Sequence, residues 1–284
     1  MKYADLHVHT NFSDGTFTPE EVVREANGRG FSSIAICDHD CVDGIGLAIE
    51  AAKGSELEII PGVELTVIKN GQEIHVLGYF ISWEEEWFRN ILKVVQKERH
   101  TRIDRMLVKL KQFNIILDRE SVISIAGGGV GSIGRLHLAR AMAKLGVVSC
   151  VQEAFDKYIG DFRPCYVEDI GFGPKEAIDL ILKAKGVPVL AHPSAIKNDS
   201  LVREFIKDGV RGIEIFHSNH KSADRKKYRA IAEESGILIT GGSDCHGLAK
   251  YRVLMGSVKV PYDIVERLKE EASAMRESGS GKQL

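Results

Sequence analysis

The sequence predicts an α/β protein: a closed or nearly closed barrel of strands and helices, interrupted once by a helical insertion. Two observations carry this. Short β-branched runs alternate with amphipathic helical segments through most of the chain, the rhythm of βαβ units. Between residues 84 and 165 the apolar spacing turns helical throughout, and the alternation then resumes. Some seven strands, most of them followed by a helix, favour a closed barrel over an open sheet.

In chain order, a strand is predicted over 4–8, a helix over 19–30, a strand over 33–37 and a helix over 45–52. Strands over 58–62 and 73–79 have residues suited to a pleated, largely buried surface. From 84 to 113, Trp87, Ile91, Val94 and Val95, then Ile103, Met106, Leu107 and Leu110, recur at helical spacing with charges between them. Helical patterns continue to about residue 158, around a glycine-rich stretch at 127–134. Residues 84–165 thus read as a helical subdomain inserted into a barrel made of 1–83 and 166–277. In the second part, helices over 174–185, 200–207, 222–235 and 261–275 alternate with strands over 187–191, 212–216 and 237–241. The polar residues 278–284 read as a frayed tail.

Composition narrows the function. Lys and Arg number 38 against 40 Asp and Glu, a formal charge of −2, and a binder of long duplex nucleic acid normally carries a basic domain. Residues 1–10 hold charge and histidine where a signal peptide needs an apolar core. No apolar run approaches the roughly 20 residues that span a bilayer, so a cytoplasmic protein without membrane partners is expected. The five cysteines (Cys37, Cys41, Cys150, Cys165 and Cys245) form no CxxC pair and are odd in number, which argues for reduced thiols. There is no Walker A sequence or GxSxG elbow, and the glycine-rich 127–134 lacks both the GKS/GKT ending of a phosphate loop and the βαβ context of a dinucleotide fingerprint.

Chemistry in such barrels gathers at the C-terminal ends of strands, and the polar residues there are uniform in kind. The first run ends in His7-Val8-His9, the second in Asp38-His39-Asp40, the third in Glu64, and the fourth strand carries His75. Later runs end in His192, in Glu214 to His217, and in Asp244-Cys245-His246. Strand side chains alternate, so His7 and His9 point the same way, as do Asp244 and His246 if that stretch is extended. A lone histidine pair is weak evidence. Seven strand ends supplying His, Asp or Glu form a cluster too costly to bury unless cations neutralise it. Imidazole and carboxylate without thiolate suit Mn²⁺, Fe²⁺ or Zn²⁺.

The sequence resembles the PHP (polymerase and histidinol phosphatase) family in DLHVHTNFSDGTFTPEE at 5–21, ICDHD at 36–40, PGVEL at 61–65, IHVLGY at 74–79, LAHP at 190–193 and GGSDCHG at 241–247. The resemblance implies a distorted, TIM-like (β/α)7 barrel with three divalent metal ions, Mn²⁺ first among the candidates, at its C-terminal face. Carried over, His7, His9, Glu64 and Asp244 hold one metal and Asp14, His39 and His246 a second. Glu64 bridges to a third, completed by His75 and His192. Relatives often have an aromatic residue at Cys245, which reads here as packing. The segments RHTRIDRM at 99–106 and GSIGRLHLARAM at 131–142 resemble the branch that hydrolyses 3',5'-nucleotide bisphosphates and trims short RNAs from the 5' end, which implies substrate contacts at Arg99, Arg102, Gly134 and Arg135. Asp38, Asp40, His137, His217 and His220 are supporting candidates. Trp83, Trp87 and Phe88 suit an apolar helix face better than a base-stacking surface.

The expected reaction is metal-dependent hydrolysis of a phosphate ester, with metal-held hydroxide as the attacking group and no protein nucleophile. The substrate is a phosphorylated nucleotide or a short RNA. A small-phosphomonoester phosphatase, acting for example on histidinol phosphate, and a binding or scaffold module are the alternatives.

Overall fold

The computed structural model describes residues 2–126, 131–168, 170–250 and 252–280. Part of the glycine-rich stretch, 127–130, and the end of the tail, 281–284, lie outside the described residues. The barrel opens with β1 (Tyr3–Val8), α1 (Pro19–Gly28), β2 (Ser33–Ile36), α2 (Ile45–Ala52), β3 (Glu58–Lys69) and β4 (Gln72–Tyr79). Helices α3 (Glu86–Lys111), α4 (Arg119–Ile125), α5 (Arg135–Lys144) and α6 (Val151–Ala154) follow, the last running into a π-helical turn at Phe155–Ile159. Then come α7 (Pro174–Lys183), β5 (Val187–Leu190), α8 (Asp199–Asp208), β6 (Gly212–His217), α9 (Ser222–Ser235), β7 (Leu238–Gly242), a short β8 (Val260–Pro261) and α10 (Tyr262–Ser280). The strands form one sheet in the order β7-β6-β5-β4-β3-β2-β1-β8.

The sheet curls until the segment after β7 meets β1. Val8 pairs with Cys245 in an isolated parallel bridge, and His9 N–H donates to the Cys245 carbonyl at 3.0 Å. This closure needs glycine at Gly242, where a Cβ would lie 2.3 Å from the His7 Cβ. The strands therefore make the nearly closed, distorted barrel expected.

One element differs in length. The strand expected over 58–62 runs on to Lys69, because Val63, Leu65 and Val67 add a buried apolar row on one face while Glu64 and Thr66 are buried on the other. It then turns back through Asn70-Gly71, both at positive φ (53° and 74°), as a two-residue hairpin turn requires. Glu64 consequently sits in mid-strand opposite Leu77, not at a strand end. β4 is antiparallel to both β3 and β5, which distorts the parallel βα pattern.

Three apolar clusters hold the molecule. Ala35, Cys37, Leu77, Val187 and Val189 pack with Ile264, Val265 and Leu268 of α10. Ile34, Ile36 and Ile213 pack with Val22 of α1, Ala48 of α2, Ile178 of α7, Phe205 of α8 and Tyr228 of α9. Ile103, Met106, Leu110, Leu138, Met142 and Ile159 form a separate core among α3, α5 and the π-helical turn. Phe88 is fully buried, and Trp83 and Trp87 pack beside the second cluster, in keeping with a seating role. Among the described residues no helix is long and apolar enough to cross a membrane.

Candidate metal centre

Glu64 is the hub of the site. From mid-β3 its Oε2 lies 3.1 Å from His7 Nε2, 3.3 Å from His9 Nε2 and 3.3 Å from His39 Nδ1. Its Oε1 lies 3.0 Å from His75 Nδ1 and 2.9 Å from His192 Nε2. Asp244 Oδ1 is 3.2 Å from His9 Nε2 and 3.4 Å from His246 Nδ1, and Asp14 Oδ1 is 3.1 Å from His246 Nε2. All nine side chains singled out from the sequence thus converge at one end of the barrel.

Their ligand atoms form three overlapping groups, each within 4.8 Å: His7, His9, Glu64 and Asp244; His9, Asp14, His39 and His246; and His39, Glu64 and His75. The second group gains His9 relative to the carried-over set. His192 lies outside the third group but within 3.3 Å of His75 Nδ1. Cys245 belongs to none of them; its side chain is buried in the apolar core.

The backbone is strained here. His192, Asp244 and Asp40 have φ of 25°, 54° and 46°, a region that non-glycine residues enter at a cost of order 1–3 kcal/mol. Such strain is retained where geometry matters more than stability.

The supporting candidates take varied parts. Asp38 accepts from Thr10 N–H (2.7 Å) and from the hydroxyls of Thr10 (2.6 Å) and Ser13 (2.5 Å), so it fixes the loop between His9 and Asp14. Asp40 accepts from Thr66 N–H at 2.9 Å and from Arg99 Nε at 2.8 Å. His217 accepts Asn219 N–H on Nδ1 at 3.1 Å, which leaves its proton on Nε2, 3.6 Å from Asp244 Oδ2. His220 donates from Nδ1 to the Ile215 carbonyl at 2.8 Å, and His137 Nδ1 accepts Gly134 N–H at 3.0 Å.

Three acidic or basic partners are outside the ligand and supporting sets read from the sequence, although Glu214 stands among the strand-end residues noted there. Glu214 takes the Nδ1 proton of His7 at 3.0 Å and the N–H of His192 at 2.8 Å. Lys250 reaches Asp244 Oδ2 at 2.9 Å. Glu73 accepts from His75 Nε2 on one oxygen (3.2 Å) and from both Arg102 (3.0 Å) and Arg135 (3.1 Å) on the other. Glu73 was legible in principle, because it stands two residues before His75 on the same face of β4.

The arginines separate into two kinds. Arg102 donates from Nε to the Val167 carbonyl at 2.8 Å, and Arg135 donates to Asp161 at 2.6 Å, while both share Glu73. Arg99 is spent differently: all three of its nitrogens are engaged, by Asp40, Thr66 Oγ1 and the Ile133 carbonyl.

A family model of the PHP domain matches residues 5–168. The chain belongs to the PHP family. A 3',5'-nucleoside bisphosphate phosphatase of Chromobacterium violaceum is 29% identical over 257 residues, which cover 87% of this chain and 88% of that protein. The 5'-3' exoribonuclease Rnm of Escherichia coli is 30% identical over 249 residues, 85% and 84% of the two chains. A protein of Bifidobacterium adolescentis, provisionally described as a metal-dependent phosphoesterase, superposes with a TM-score of 0.86 at 29% identity, covering 94% and 96%. This PHP protein is a hydrolase of phosphoric esters.

The residues present fit the divalent metals of PHP enzymes. His9 Nε2, His39 Nδ1 and Asp14 Oδ1 are buried without a hydrogen bond, an expensive state that cations would relieve. The donors are imidazole nitrogen and carboxylate oxygen, the set that suits borderline divalent ions.

Proton occupancy in this PHP centre gives a first prediction. Burial pulls His9 and His75 down, but Asp244 and Glu64 beside His9, and Glu64 and Glu73 beside His75, overcome it and raise them to about 9 and about 10. A ligand must lose its proton to coordinate. Metal uptake near pH 7.5 is therefore expected to release protons, and affinity should rise with pH up to the range of these two histidines. Titration calorimetry in buffers of different ionisation enthalpy measures the release; an identical heat in all buffers would contradict it.

Proposed function

We propose that this protein removes a terminal phosphate from nucleotides, converting 3',5'-nucleoside bisphosphates to nucleoside monophosphate and phosphate, and that it also shortens small 5'-phosphorylated RNAs from the 5' end. The observation that carries this reading is the pair Arg102 and Arg135. A buried guanidinium, Arg102, and a half-buried one, Arg135, meet at one carboxylate, and that carboxylate also holds His75 of the cation-binding cluster. Two fork-shaped donors side by side suit a substrate with a second phosphate. The names of the relatives point the same way.

In this reading the nine side chains from His7 to His246 hold divalent ions, which when bound supply an activated water and offset charge on the phosphoryl oxygens. The protein's own groups do the rest. Arg102 and Arg135 seat the phosphate that is not being cut, and Glu73 keeps both of them and His75 in register. Glu214 fixes the ring of His7 through Nδ1, leaving Nε2 directed at Glu64. Gly134 N–H is taken by His137, so its part is close approach, with no side chain between α5 and Arg99. A near-neutral chain that relies on a few arginines favours mononucleotides and short oligonucleotides over long duplexes.

Phosphate release from adenosine 3',5'-bisphosphate, 5'-AMP, a 5'-phosphorylated RNA pentamer and histidinol phosphate, side by side with Mn²⁺, tests the reading. Preference for the bisphosphate, or loss of nucleotides from the RNA 5' end, is expected. Turnover of histidinol phosphate alone would overturn it. Arg135→Ala should raise KM for the bisphosphate about 10- to 100-fold, the value of one charge-assisted contact, with metal content unchanged. Loss of metal in that variant would show a structural role instead.

A further inference from the structure

We infer that Phe162 is the platform on which the nucleotide's base stacks. The inference rests on the nucleotide reading above and adds the residue that recognises the nucleoside.

Phe162 combines two locally unfavourable features. Its φ is 62°, in the left-handed region that a phenylalanine enters only under constraint, and it is 77% exposed. A turn that served stability alone would place a glycine or asparagine there. The turn is nevertheless well made. Gly160 N–H donates to the Phe155 carbonyl at 2.9 Å, Arg163 N–H to the Gly160 carbonyl at 3.0 Å, and Cys165 N–H to the Tyr158 carbonyl at 2.9 Å. The ring is thus presented by a fixed turn.

Its neighbours are the proposed phosphate-seating residues. Asp161, the preceding residue, holds Arg135 at 2.6 Å. The Phe162 ring lies 6.4 Å from the ring of Tyr166, and Tyr166 in turn lies 5.6 Å and 5.4 Å from the guanidinium carbons of Arg102 and Arg135. Aromatic surface therefore continues outward from the arginine pair and ends in one exposed face. A nucleoside whose phosphate is seated on the arginines would, if it extends along the Tyr166 side of the pair, come up against that face. Stacking accepts any base, since every base has a π-face, so Phe162 would select nucleosides without selecting among them.

The test compares adenosine 3',5'-bisphosphate with the same sugar bisphosphate lacking the base, on wild type, Phe162→Ala and Phe162→Trp. The alanine variant should raise KM for the adenosine compound on the order of 10-fold, as expected for one lost stack. It should leave kcat and the melting temperature near wild type, because the ring is exposed. The base-free compound should show no change in KM, and tryptophan should restore the adenosine value. An equal effect on both compounds, or none on either, would overturn the platform while leaving the phosphatase reading intact. Wild-type protein that hydrolyses neither compound would overturn the nucleotide reading, and the platform with it.

Discussion

Glu64→Ala is expected to lower phosphate release by at least about 10³-fold and to reduce the divalent metal bound per chain. Both carboxylate oxygens of Glu64 are in use, one facing His7, His9 and His39 and the other facing His75 and His192. Removing it takes a donor from two of the three ligand groups and leaves five imidazoles around a void. Metal-supplied charge stabilisation is worth several kcal/mol, and each 1.36 kcal/mol is tenfold in rate, which sets the magnitude. Elemental analysis of the dialysed variant, beside its turnover of adenosine 3',5'-bisphosphate, checks both halves. Full metal content with full activity would remove Glu64 from the centre of the account.

Arg99→Ala should act on stability first. Arg99 is 4% exposed, and its partner Asp40 is fully buried. Asp40 also accepts from Thr66, so the guanidinium ties α3 to β3, which carries Glu64, and to the segment after β2 that carries His39. Breaking a buried pair by removing one partner typically costs about 3–5 kcal/mol, since the other charge is left uncompensated. At roughly 2–4 °C per kcal/mol for a chain near this size, melting should fall on the order of 10 °C. Arg99→Lys should recover little, because a point charge cannot serve Asp40, Thr66 and the Ile133 carbonyl together. Calorimetry checks this; an Arg99→Ala variant with unchanged melting and a raised KM would return Arg99 to the substrate-binding set beside Arg102 and Arg135.

Much of the architecture was legible because it is local. The alternation of runs such as 4–8 and 33–37 reports a strand wherever it pairs, and the polar residues ending those runs share one mouth because the barrel is closed. Long-range pairing was harder to read. Nothing within 58–62 says that β3 continues to Lys69, although the Asn70-Gly71 pair is a hairpin signal that favours it. Glu64 therefore reads as a strand end when it sits in mid-strand, with its carboxylate facing His7, His9, His39, His75 and His192. The partners of the arginines were hidden for the same reason: Glu73 and Arg135 are separated by the whole of α3 and α4, and only packing brings them to 3.1 Å. Arg99 and Arg102 share a helix face, as their spacing requires, yet one meets Asp40 and the other Glu73. Spacing gives direction on a helix but not the group that waits there.

The central claim is that convergent imidazoles and carboxylates make this chain a metal-dependent nucleotide phosphatase. It is tested most directly by stripping the protein with chelator, titrating Mn²⁺ back, and following phosphate release from adenosine 3',5'-bisphosphate against metal bound per chain. Negligible release from the stripped protein, recovering in step with bound metal in wild type and not in His7→Ala, is the predicted result. Undiminished hydrolysis by the stripped protein, or metal binding that restores no hydrolysis, would contradict the claim.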